Sequence, residues 1–292
     1  MSLLSYRSDG PRRIVCLTEE TTETLYLLGQ GERVAGISGY TCRPQEAREK
    51  PKVSAFTSAK IDKILALKPD LVIGFSDLQA TIAQDLIKAG VNVVVFNQRS
   101  VNEIFEMILT LSRIVAAEAQ GLTLISELDR DLALIAKAAA SFPRRPRVFF
   151  EEWPDPLISG IRWVDELIEL AGGEPVFPQF REQQAASGRI ITAEQLAAAN
   201  PDVIIASWCG RKINKAEIRR RTPAVPAVRN GQIYEIKSTY ILQPGPASLT
   251  EGVRQLHAIL AHVALGQPAQ GLEPREKMDP DLLVGLTSDP ST

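Results

Sequence analysis

Along the first hundred residues, short apolar runs alternate with amphipathic stretches. The runs "RIVCL" (13–17), "RVAGIS" (33–38), "DLVIGF" (70–75) and "NVVVFN" (92–97) are nearly continuous in apolar residues, the pattern of parallel strands covered on both faces. Between them, the polar run "TEETTET" opens a helix that continues through "LYLLG" and stops at Gly29 and Gly31. A second helix, "DLQATIAQDLIKAG", is closed by Gly90. Strand, helix and strand in repetition predict an α/β fold with mostly parallel sheets.

The alternation then ceases. Residues 101–140 carry no strand signal; helix formers dominate, and apolar residues recur every three or four positions. "SFPRRP" ends this stretch, and the rhythm resumes with strands at "RVFFEE", "DVIIAS" and "GQIYEI" and helices at "VDELIELAGG" and "AEQLAAAN". A last helix, "SLTEGVRQLHAILAHVAL", follows. The boundaries predicted are an N-terminal α/β lobe (1–98), a long helical bridge (99–142), a C-terminal α/β lobe (143–265) and a loosely ordered tail (266–292).

The two lobes share a phrase. "IDKILALKPDLVIGF" (61–75) returns in degraded form as "AEQLAAANPDVIIAS" (193–207), 132 residues later. In both copies an acidic residue, Asp62 or Glu194, stands seven positions before the Pro of a Pro-Asp pair, Pro69-Asp70 or Pro201-Asp202. The repeat predicts two similar lobes with a ligand cleft between them, since lobe interfaces and carboxyl ends of parallel strands are favoured sites for small molecules. Asp62 and Glu194 fall in the first turn of their helices, where a carboxylate complements the macrodipole. Thr192 with Gln195 reads as a capping box for the second helix.

Composition narrows the function by exclusion. A formal net charge of -2 over 292 residues gives no basis for a general affinity for nucleic acid. The basic runs "RRPR" and "IRRRT" read as solvated faces. No apolar segment reaches the ~20 residues of a membrane span. Neither "GFSDL" nor "GISGY" completes the G-x-S-x-G elbow of α/β hydrolases. The two histidines, His257 and His262, are five apart on the last helix and share no face. Cys16, Cys42 and Cys209 match neither a zinc site nor a redox pair. No catalytic constellation, metal site or catalytic cofactor is expected, and the protein reads as a binder, not an enzyme.

Five aromatic residues stand at the ends of predicted strands, beside Pro, Gly or Ser: Tyr40, Phe56, Trp153, Trp208 and Tyr240. Aromatic rings in such loops suit a large, partly apolar ligand that needs wide contact area.

From Arg13 to Leu265 the chain resembles the class III periplasmic substrate-binding proteins of ABC importers for cobalamin, haem and iron siderophores. The resemblance is carried by "RIVCLTEETTETLYLLGQGERVAGISGY", "KVSAFTSAKIDKILALKPDLVIGF", "PLISGIRWVDELIELAGGEPVF" and "ITAEQLAAANPDVIIAS". It implies two lobes joined by a rigid helical bridge, and capture of a bulky metal chelate with little lobe movement. The likeness is greatest to the cobalamin-binding members. They carry a cleft-lining Tyr at the position of Tyr40 and a Trp six residues before the first acidic residue, where this chain has Phe56. At the equivalent place in the second lobe they carry another Trp; here it is Gly188, and Trp153 or Trp208 is the candidate to supply that ring.

The resemblance also implies roles. Tyr40, Phe56, Trp153, Trp208 and Tyr240 would line the ligand site, and Asp62 and Glu194 would dock on arginines of a dimeric ABC permease. The expected ligand is cobalamin. A ferric siderophore or haem is the alternative, with Tyr40 as an iron ligand and Arg43, Arg99 or Arg211 for anionic groups. A monomer is expected, periplasmic or at the membrane surface if an export signal has been removed. If the N-terminus is native, the same fold would serve a cytoplasmic corrinoid-handling enzyme or sensor.

Overall fold

The computed structural model describes residues 9–266, so the expectation for the tail beyond Gly266 lies outside the described residues. The chain divides into two compact units: one runs to Gln98 and resumes over Asn102–Glu127, the other comprises Arg99–Val101 and the chain from Leu128 onward.

The first unit contains β1 (Ile14–Cys16), α1 (Glu19–Leu27), β2 (Val34–Ser38), β3 (Lys52–Ala55), β4 (Ser58–Ala59), α2 (Ile61–Ala66), β5 (Leu71–Phe75), α3 (Ala80–Lys88) and β6 (Val93–Phe96). Its sheet has the order β4-β3-β2-β1-β5-β6, parallel except for β4. Val15, Leu17, Val72, Ile64 and Leu86 form its apolar centre, where strand faces meet the buried sides of α2 and α3. The β3–β4 hairpin was not expected: Lys52 and Ala55 are exposed and Val53 and Ser54 buried, too short an alternation to stand out as a strand.

The helical stretch is two helices, α4 (Val101–Ile114) and α5 (Glu118–Ala139). The turn between them puts Ala116 at φ 54°, a conformation that nothing in its helix-favouring neighbourhood announces. The two helices come close beside it, because a Cβ on Gly121 would lie 2.3 Å from Ser112 Oγ.

The second unit contains β7 (Arg147–Pro154), β8 (Leu157–Ser159), α6 (Arg162–Leu170), β9 (Glu174–Pro175), α7 (Ala193–Ala199), β10 (Val203–Ala206), α8 (Lys215–Arg221), α9 (Pro226–Arg229), β11 (Ile233–Glu235), α10 (Ser238–Ile241) and α11 (Val253–Ala264). Its sheet has the order β11-β10-β7-β8, with β9 also pairing with β7; only β8 is antiparallel. Phe149, Leu196, Ile204, Trp208 and Ile218 belong to its core. The fold is therefore α/β with mostly parallel sheets.

The repeated phrase acquires a physical reason here. Asp70 accepts hydrogen bonds from the backbone N–H of Arg12 (2.9 Å) and Arg13 (2.9 Å), just ahead of β1. Asp202 accepts one from Arg147 N–H (2.8 Å) at the start of β7. The arginine side chains complete each clamp: Arg13 donates to Leu67 O (2.6 and 2.9 Å) and Arg147 to Ala199 O (2.8 Å), carbonyls left without a partner where α2 and α7 end. Lys68 (φ 48°) and Asn200 (φ 50°) terminate these helices in the left-handed conformation, and the Pro that follows prevents continuation. In each unit one clamp fixes a helix end and two strand starts at the amino edge of the sheet.

Candidate ligand-binding surfaces at the carboxyl edges of the sheets

In the first unit, the loops leaving β2, β3 and β5 meet at the carboxyl edge. Gly39 N–H donates to Ser54 O (2.8 Å), joining the first two loops. Tyr40 follows, 49% exposed, its N–H donating to Ser38 Oγ (3.2 Å). Phe56 turns the β3–β4 hairpin at φ 48°. Its carbonyl accepts a hydrogen bond from Gln79 Nε2 (2.7 Å), while Gln79 Oε1 accepts from Phe75 N–H (2.9 Å). The fully buried Gln79 thus staples the loop after β5 to the Phe56 turn.

Between these points Ser76 adopts φ 62°, ψ 172°, a region L-residues seldom occupy, with its Oγ accepting from Leu78 N–H (3.3 Å). Leu78 is thereby left 56% exposed on the same edge as Tyr40 and Phe56. Sequence reasoning missed Leu78 and Gln79; the signal available was an apolar residue in the polar loop of "GFSDLQ".

Behind this edge α1 opens with three buried carboxylates, Glu19, Glu20 and Glu23. Burial, and then the neighbouring Glu19 charge, push Glu20 up to about 8, against a hydrogen bond from Thr18 Oγ1 (2.6 Å). Burial also raises Glu19, which accepts from Ser38 Oγ (3.2 Å). Glu23 pairs with Arg43 (2.8 Å), so that guanidinium is already engaged. Arg99, assigned to the second unit, is buried.

In the second unit the loops leaving β7 and β10 lie side by side. Glu151, fully buried, accepts from Trp208 Nε1–H (3.1 Å) and pairs with Arg221. Trp208 is 1% exposed and packs in the core, a position its place in the loop did not announce. Arg221 bonds inward from the run read as a solvated face, while Arg219 and Arg220 are exposed. Trp153 is partly buried, its Nε1–H donating to Asp155 O (3.0 Å). The exposed Arg211 places its guanidinium carbon 5.4 Å from the ring centres of both Trp153 and Trp208.

Gly188 sits beside Arg189, whose buried guanidinium bonds Glu152 (2.5 Å) and Ser159 O (2.5 Å). A side chain at Gly188 would meet Gln183 Oε1 at 2.6 Å. Tyr240 is half-buried on α10, after β11.

Asp62 and Glu194 are exposed in the first turns of α2 and α7. The capping box of Thr192 and Gln195 is present, and hydrogen bonds from Thr192 and its own backbone hold Glu194 below the usual carboxylate range. No side chain caps α2. Among the described residues, no group of three or more His, Cys, Asp or Glu could hold a metal ion. No helix among them is long and apolar enough to cross a membrane.

Comparison with known proteins agrees with this architecture. The family model described as "Periplasmic binding protein" matches residues 14–240. The vitamin B12-binding protein of Vibrio parahaemolyticus is 26% identical over 251 residues, covering 85% of this chain and 89% of its own. An ABC transporter substrate-binding lipoprotein of Bacillus subtilis is 27% identical over 260 residues, covering 84% and 79%. The solved structure of a periplasmic haem-binding protein from Roseiflexus shares the fold with a TM-score of 0.75 at 22% identity, covering 87% of this chain and all of its own (100%). With a mostly parallel α/β sheet in each unit, a family match over most of the chain and relatives of this kind, the chain belongs to the periplasmic binding protein family, as a class III substrate-binding protein of ABC importers.

Proposed function

We propose that the protein captures a corrinoid, cobalamin, and delivers it to an ABC permease. The observation that carries this reading is the pair of rings, Tyr40 and Phe56, set on adjoining loops at the carboxyl edge of the first sheet. A corrin is broad and partly apolar, and aromatic side chains supply contact area for it at little conformational cost. The vitamin B12-binding relative supports the same class of ligand. The second unit carries its own candidate aromatic contacts, Trp153 and Tyr240, and Trp208 supports Arg211 from the core. Asp62 and Glu194 are the docking residues for the permease. Export to the periplasm or attachment at the membrane surface follows from this role, and the lipoprotein relative supports it.

A ferric siderophore or haem is the second reading, favoured by the exposed phenol of Tyr40, a hard oxygen ligand for ferric iron. Calorimetric titration with cyanocobalamin, checked by tryptophan fluorescence corrected for inner-filter absorption, separates the two. Saturable one-to-one binding with Kd of about 1 µM or below, weakened roughly tenfold or more by Tyr40→Ala or Phe56→Ala, is expected. No heat at ligand concentrations of about 100 µM removes the corrinoid reading, and haemin and a ferric siderophore are then titrated in the same way.

A further inference from the structure

We infer that Arg211 is an anchor for an anionic oxygen group, a carboxylate or phosphate carried on the ligand. The inference rests on the reading of the chain as a small-molecule binder and narrows the ligand's chemistry. Three observations converge. The guanidinium is exposed and lies over two indoles, 5.4 Å from each ring centre, so its plane is held without being neutralised. Among the described residues no carboxylate or carbonyl engages it, whereas Arg43, Arg189 and Arg221 each have a carboxylate partner.

The third observation is that the platform is locked. Trp208 is tied to Glu151 (3.1 Å) and Trp153 to Asp155 O (3.0 Å), while Arg221, which pairs with Glu151, also reaches Pro154 O (3.3 Å). The Arg211 N–H donates to Trp208 O (3.1 Å), fixing the backbone as well.

A guanidinium whose donors face solvent from a rigid aromatic seat is preorganised for the two-pronged bond it makes with carboxylate or phosphate oxygens. Glu151 is deep enough, and sufficiently engaged by Arg221, to leave the charge of Arg211 uncompensated at the surface. The seat stands at the carboxyl edge of β7 and β10, where open α/β sheets take their ligands.

The test uses pairs of probes that differ in the anionic group: cyanocobalamin against dicyanocobinamide, which lacks the phosphodiester, and haemin against its dimethyl ester. Ferric citrate against ferrichrome, whose three hydroxamates neutralise the iron, provides a siderophore-type pair. For whichever pair wild type binds, Arg211→Ala should weaken the anionic member roughly ten- to hundred-fold and leave the neutral member unchanged, with Arg211→Lys between. Far-ultraviolet circular dichroism and melting temperature confirm that both variants fold. Equal losses on the two members would make Arg211 a structural support for the indoles, and no loss on either would remove its role; both outcomes overturn the inference while the binding function stands. If wild type binds none of the probes, the parent reading fails and the inference with it.

Discussion

Glu20 shows how much a single side chain can tie stability to pH. Its carboxyl is 2% exposed, has Glu19 and Glu23 as neighbours, and titrates near 8 in the folded protein, against about 4.3 for an exposed glutamate. A carboxyl whose folded value lies above its unfolded value favours the folded state while protonated. Its contribution is therefore complete below about pH 4 and is lost as pH rises through about 8. The melting temperature of wild type should fall between pH 5 and pH 9, and Glu20→Gln should flatten that fall, raising it at pH 9 by about 3 °C or more. Identical slopes for the two proteins, measured by circular dichroism, would show that Glu20 is solvated. The polar run "TEETTET" gave no hint of this burial, because helix-opening carboxylates are ordinarily exposed. Trp208 is the mirror case: an aromatic residue in a loop whose indole turns inward to satisfy Glu151.

At the scale of elements, the Pro-Asp clamps make a paired prediction. Asp70→Ala leaves two backbone donors ahead of β1 without their carboxylate, and Asp202→Ala does the same for one donor at β7 and also frees Arg144 (2.7 Å). Each substitution should lower stability by about 1.5–3 kcal/mol, as loss of hydrogen bonds to a charged acceptor does, read as a lower urea midpoint at constant slope. Losses below about 0.5 kcal/mol would show that water replaces the carboxylates without penalty.

The repeat itself was legible in the sequence, as were the long parallel strands and the helices with clear stops, because apolar continuity and glycine punctuation are local signals. What escaped was set by partners distant in the chain. β8 is three residues long and exists through its pairing with β7; β9 is two residues long and depends on the same strand. The break at Ala116 is fixed by the close approach at Gly121, and Gln79 owes its role to the Phe56 carbonyl 23 residues away.

For the whole molecule, the proposed docking residues predict that recognition by a permease is separable from recognition of the ligand. Asp62 and Glu194 are exposed in the first turns of helices that open the same repeated phrase, and neither is among the aromatic residues proposed to contact the ligand. Asp62→Lys and Glu194→Lys should leave the ligand Kd within about twofold of wild type and reduce uptake in cells carrying the cognate permease, the double variant most. Thr192→Ala is the control, since it removes the cap of α7, at about 1 kcal/mol, without removing the Glu194 charge. Unimpaired uptake by the charge-reversed double variant would confine both carboxylates to helix stabilisation.

The clamps also bear on how such a chain can change its cargo. They sit at the amino edge of each sheet, while Tyr40, Phe56, Leu78, Trp153 and Arg211 stand on loops at the opposite edge. On the proposed reading, framework and specificity are thus inherited as nearly independent modules. Loops could be exchanged, by evolution or by an engineer grafting a sensor for another chelate, while the latch within each sheet stays untouched.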